Sequence, residues 1–145
     1  MAGLQCEFPD YNPPSEEIKA ILENYKTVAV VGLSPKPARD SHKVAKYLKE
    51  HDYTIVPVNP GQKEILGEKC YPNLKAVPFA IEVVDIFRKP EAMPSIVDEA
   101  IVIGARVVWM QLGLAHNESA EKARKAGLEV VMNKCIKIEH MNMFK

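Results

Sequence analysis

Five short apolar runs punctuate the chain, and the intervals between them are long enough to hold helices. They are TVAVV (Thr27 to Val31), YTIVPV (Tyr53 to Val58), AIEVVDIF (Ala80 to Phe87), RVVWMQ (Arg106 to Gln111) and LEVVM (Leu128 to Met132). Each is rich in β-branched residues and has the length of a buried strand. The intervening segments carry helical signals. From about Ser41 to Glu50, Val44, Ala45, Tyr47 and Leu48 lie on or near one face. A helix over about Pro94 to Ile103 ends at Gly104, and one from Asn117 to Ala126 runs between an Asn117 N-cap and a Gly127 C-cap. Ser15 is expected to cap a helix through Asn24, with Glu16 and Glu17 in its first turn. A last helix starts near Asn133. Repeated strand–helix alternation leaves few architectures: right-handed βαβ crossovers in a doubly wound α/β fold. Its mainly parallel sheet has five or six strands, with helices on both faces.

Smaller signals refine this picture. Pro57 inside the second run places that strand at an edge or a strand end. EILGEKCYPNLKAVP predicts a turn at Gly67 and a short helix or loop near Leu74. Residues 1–14, rich in Pro, Asn and Asp, read as an N-terminal arm on a single domain of 145 residues. Nineteen basic residues balance nineteen acidic ones. That balance gives no support for nucleic-acid or membrane binding, though a local basic cluster suits a small anion. Cys6, Cys70 and Cys135 are odd in number, far apart and without zinc spacing, which predicts free thiols in a reducing compartment. No apolar stretch approaches the roughly 20 residues of a membrane span, and the N-terminus lacks signal-peptide form. The expected location is the cytoplasm.

In a doubly wound sheet, ligands bind beyond the carboxyl ends of the strands. The stretches to inspect are therefore GLSPKPARDS, NPGQK, FRKPE, QLGLAHN and NKC. The first offers Gly32, Ser34, Lys36, Arg39 and Ser41 ahead of a helix N-terminus, where free amides and the dipole favour a phosphate. Only its first position matches the glycines of GxGxxG, and Pro35 and Pro37 remove two amide donors. Charged side chains must then do more of the binding. The acid that chelates a ribose diol in NAD enzymes is replaced by Asn59 at the end of strand two. Phe87 and Arg88 at the third strand end suit stacking on a purine and pairing with a phosphate. Trp109 is a core candidate. Gln111, on the same face at the strand end, is a polar contact. No HExxH, GxSxG, P-loop or triad pattern is present, so no catalytic or metal-ligating residue is assigned.

Taken in order, VAVVGLSPKPARDSHKVAKYLKEHDYTIVPVNPG, ILGEKCYPNLKAVP, VVDIFRKPE and VVWMQLGLAHNESAEKARKAGLEVVMNKC resemble the small stand-alone CoA-binding proteins. These are related to the CoA-binding domain of the succinyl-CoA synthetase alpha subunit. The resemblance runs from about Lys26 to His140. It implies a Rossmann-like fold with coenzyme A, or an acyl-CoA, at the C-terminal edge of the sheet. By position it implies Gly32, Leu33 and Ser34, with Lys36, Arg39 and Ser41, as the phosphate turn. Val58, Asn59 and Pro60 fall in the turn after strand two, with one residue more between Pro60 and Lys63 than in the synthetase pattern. Phe87, Arg88 and Gln111 fall at the next two strand ends. The synthetase's phosphorylated histidine belongs to a domain absent from this sequence, and so does an ATP-grasp region. The reading is a binding or regulatory module rather than a complete enzyme, with protein partners open. The competing readings are an NAD(P)-binding oxidoreductase and a partner-binding subunit with a vestigial nucleotide site.

Overall fold

The computed structural model describes residues 7–144. Five parallel strands form the sheet: β1 (Thr27–Val31), β2 (Thr54–Val58), β5 (Val83–Ile86), β6 (Val107–Met110) and β7 (Glu129–Val131). Their order is β2-β1-β5-β6-β7. Strand order therefore reverses between β1 and β5, which is where a doubly wound sheet opens a crevice. A two-stranded antiparallel hairpin, β3 (Glu64–Ile65) and β4 (Glu68–Lys69), stands apart.

Two apolar layers hold the sheet. On one face Ala29, Val31, Val84, Ile86, Val108 and Met110 pack against Met93, Ile96, Val97 and Ala100 of α3 (Met93–Val102), and Ala120 and Ala123 of α4 (Asn117–Lys125). On the other, Val28, Val30, Ile55, Val107 and Trp109 meet three helices. These are α1 (Ser15–Asn24), α2 (Asp40–Glu50) and α5 (Ile136–Met143). Burial on both faces explains why the strands read as continuous apolar runs rather than alternating ones.

Pro57 sits in β2, an edge strand. Its carbonyl accepts from Tyr71 N on the outer side, so its missing N–H also lies away from β1. Several sequence expectations are corrected. Ser15 is the first residue of α1, not its cap: Pro14 holds the N-cap position, with no side-chain bond. Asn117 likewise opens α4, while His116 caps it by accepting from Ser119 N through Nδ1 at 3.2 Å. Asn117 instead ties down the arm, donating to Phe8 O and accepting from Asp10 N, both at 2.8 Å. Asn12 does the same at the free edge of β7, exchanging two 2.8 Å hydrogen bonds with the backbone of Met132. The last helix starts at Ile136, not near Asn133, whose φ of 58° is incompatible with a helix. Cys6 lies outside the described residues. The turn at Gly67 closes the β3–β4 hairpin, where Leu66 and Gly67 both take positive φ as a two-residue hairpin of this hand requires.

Candidate ligand-binding cleft

The carboxyl ends of β1, β2, β5 and β6 bring the predicted loops together. Gly32 leaves β1 with φ +90° and donates to Val58 O of β2 at 2.9 Å. A Cβ there would stand 2.6 Å from Phe87 O and 3.3 Å from Arg88 Cδ. Glycine is therefore required twice, by its backbone angle and by the close approach of the β5 end. Phe87 N in turn donates to Val31 O.

Beyond Gly32 the loop organises itself. Ser34 Oγ accepts from Lys36 N at 3.1 Å, Ser41 Oγ accepts from Ser34 N at 3.0 Å, and His42 Nδ1 lies 2.9 Å from Ser34 O. The turn is held by hydroxyls, as the two prolines demand. Arg39 occupies the N-cap of α2 without a side-chain cap bond, and the Asp40 and Ser41 amides find no acceptor among the described residues. An uncapped helix start with orphan amides opens here.

Two clefts meet at this edge. The polar one is lined by Gly32, Ser34, Arg39, Ser41, Asn59 and Phe87, with a volume of about 460 Å³. The more apolar one, about 630 Å³, runs past Phe87, Arg88 and Gln111 to the start of α5. Asp40 and Phe87 line both. Among the described residues no carboxylate pairs with Arg39 or Arg88, so both guanidinium groups are open to an anion. Asp40 is the opposing charge, a carboxylate at the mouth of both clefts.

The predicted residues separate into three groups. Gly32, Ser34, Arg39, Ser41, Asn59, Phe87, Arg88 and Gln111 line the clefts. Leu33 and Val58 turn inward, 0% and 3% exposed, and contribute only backbone: Leu33 O accepts from Asn59 Nδ2. Lys36 and Pro60 are exposed and lie outside both linings. Two side chains are also committed structurally. Asn59 spends Nδ2 on Leu33 O and Oδ1 on Gly61 N, which locks the β1 and β2 loops together. Gln111 Oε1 accepts from Ile136 N at 3.1 Å and so caps α5. Its amide nitrogen has no acceptor among the described residues. Trp109 is fully buried, its indole N–H donating to Lys134 O at 2.8 Å.

Sequence reasoning missed the α5 contribution: Cys135, Lys137 and Ile138 all line the larger cleft. NKC was recognised as a strand-end loop, but nothing in it signals that Gln111 will draw the next helix over β6. A second omission is Asp85. It sits in β5 between Val30 and Trp109 in the ladder, two residues before Phe87. Both carboxylate oxygens are buried and have no partner among the described residues. Burial pushes this carboxyl well above the ordinary carboxylate range.

Fold and cleft together define a doubly wound α/β protein with a two-part crevice at its topological switch point. The chain belongs to the CoA-binding domain family, whose model matches residues 26–141. It is 41% identical over 129 residues to YneT of Bacillus subtilis, covering 89% of this chain and 96% of that one. A solved structure of a Pyrococcus horikoshii protein superposes with a TM-score of 0.91 at 45% identity, over 96% of this chain and 98% of the other. A larger relative is the ADP-forming acetate–CoA ligase I of Archaeoglobus fulgidus, 29% identical over 121 residues. The match takes in 77% of this chain but only 18% of the ligase. Among the described residues no helix is long and apolar enough to cross a membrane.

Proposed function

We propose that the chain binds coenzyme A or an acyl-CoA across the two clefts, as a stand-alone binding or regulatory module. The observation that carries the reading is the uncapped start of α2, opening between Arg39 and the Gly32–Phe87 contact in a chain of the CoA-binding family. Phosphates meet orphan amides and two guanidinium groups there, a combination that favours multiply charged anions. Phe87, half-buried and shared by both clefts, offers its ring to the adenine or to the pantetheine arm. A polar cleft joined to an apolar one suits a ligand with a nucleotide at one end and an uncharged arm at the other. Asn59 argues against NAD: it is uncharged, and both its polar atoms already serve the loops. The ligase relative supports a role beside a partner protein, since there the matched segment is part of a much longer chain.

Calorimetry with CoA, dephospho-CoA, NADH and NADPH tests the proposal. CoA should bind most tightly. Arg88→Ala should weaken CoA by about 1.5–3 kcal/mol, the range for hydrogen bonds to charged groups, without moving the melting temperature of the free protein. Tighter binding of NADH than of CoA refutes the reading.

A further inference from the structure

Part of the larger cleft's wall is apolar and exposed. Leu112, just beyond β6, is 64% exposed, and Ile138 of α5 is 46% exposed. Both face the same cavity as Leu114 and Phe87. Neither serves the core. In α5 that task falls to Ile136, fully buried two residues earlier. Apolar surface left in water carries a cost that only an apolar occupant removes.

The position of this wall says what the occupant is attached to. The two clefts share Phe87 and Asp40, so a ligand whose phosphates lie at the start of α2 reaches the wall by running past Phe87. On the way it meets Gln111, whose unspent amide nitrogen suits a carbonyl of an amide-containing arm. Leu112 and Ile138 are the side chains beyond that point. The cations of this cleft, Arg88, Lys43, Lys89 and Lys137, sit on long stems, and those stems add further aliphatic surface.

We propose that Leu112, Leu114 and Ile138 form an acyl subsite, which makes the ligand of this chain an acyl-CoA with a short, uncharged hydrocarbon acyl group. The proposal rests on the CoA reading of the adjoining cleft and adds to it the class of thioester bound. The thiol end of free CoA leaves Leu112 and Ile138 wet, whereas an aliphatic acyl group covers them.

The test is a calorimetric series of CoA, acetyl-CoA, butyryl-CoA, hexanoyl-CoA and succinyl-CoA against the full chain. Affinity should rise along the aliphatic series, by up to about fourfold for each methylene buried, the equivalent of about 0.8 kcal/mol. The double variant Leu112→Ser with Ile138→Ser should flatten the series, so the readout is the slope of affinity with acyl length rather than the affinity for CoA itself. Both residues are exposed, so the fold does not depend on them. Cys135 gives a second readout, scored by peptide mapping so that Cys6 and Cys70 are counted apart, because it lines the same cavity and is partly exposed. At equal occupancy hexanoyl-CoA should slow maleimide labelling of Cys135 more than CoA does. Absence of binding by every CoA species overturns the CoA reading and the subsite with it. Binding of CoA with a flat acyl series overturns the subsite alone. Tighter binding of succinyl-CoA than of butyryl-CoA also overturns it, because the lysines would then set the preference.

Discussion

Replacing Asp85 by Asn should stabilise the protein progressively as pH rises. The carboxyl is 0% exposed, and among the described residues neither oxygen has a partner. Its row across the sheet is Pro57, Val30, Asp85, Trp109, Val131, which offers no cation and no side-chain donor aimed at it. An isolated buried carboxylate is far costlier than the neutral acid, so the fold keeps the proton and the folded pKa is raised by burial. The unfolded chain releases that proton near the ordinary Asp value, about 3.9. Between the unfolded and folded pKa values the folded state holds one proton more than the unfolded state. The stability contributed by Asp85 is thus fully present below the unfolded value and is lost as pH rises toward the folded one.

The expected slope is one proton, a factor of ten in the folded-to-unfolded ratio per pH unit. Over any two-unit interval inside the window, the variant should gain about 3 kcal/mol relative to the wild type. Other titrating groups are common to both chains and cancel in the difference. Urea denaturation of the two proteins at pH 5, 6, 7 and 8 reads it directly, with equal m-values required for the comparison. At the acid end Asn should be near neutral or mildly destabilising, since its NH₂ group is also left without an acceptor. A difference that stays flat across this range would refute the reasoning. It would mean that Asp85 ionises in the folded protein as readily as in the unfolded chain, through water or a partner that reaches it.

Three further outcomes follow from named contacts. Gly32→Ala should lower stability by about 1–3 kcal/mol and abolish CoA binding, because φ +90° and the 2.6 Å approach to Phe87 O leave no place for a Cβ; thermal melts and calorimetry check both. Asp40→Asn should tighten CoA binding, because it removes a carboxylate from the mouth of both clefts; an unchanged dissociation constant would place the phosphates elsewhere. His140 accepts or donates a 2.8 Å hydrogen bond with Tyr47 Oη and stacks on Phe144, and burial, then His51 and Lys26, hold its pKa below the usual histidine value. Its contribution is present at neutral pH and is lost as pH falls from about 6.5 through the lowered folded value, so acid should loosen α5. The sole tryptophan reports on this, since Trp109 Nε1 bonds Lys134 O just before that helix, and His140→Gln should remove the acid-induced fluorescence change.

What could be read from sequence here follows from the range of the interactions involved. The parallel sheet and its edge strand were legible because burial on both faces writes a continuous apolar run, and because Pro57 can stand only where no neighbour needs its N–H. Gly32, Ser34, Arg39, Phe87 and Arg88 were legible as cleft residues because their positions follow from strand ends alone. The caps of α1 and α4 were misassigned because Ser15 and Asn117 have the right chemistry one position too late, and for Asn117 a tertiary contact decided the role. Asn117 is recruited by the arm at Phe8 and Asp10, so His116 must satisfy the helix. Asn59 and Gln111 were read as ligand contacts, and both line the clefts, yet their hydrogen bonds close the architecture on which the clefts depend. That double use has a physical reason. Loops carrying orphan amides and uncompensated guanidinium groups repel one another and solvate readily, so polar side chains with an acceptor and a donor to spare must stitch them. Gln111 is the clearest case: one end of its amide holds α5 across β6, and the other faces the cleft. No pattern in QLG or NKC announces a contact that spans 25 residues, and with it the sequence conceals Ile138, the aliphatic side chain that α5 brings to the site.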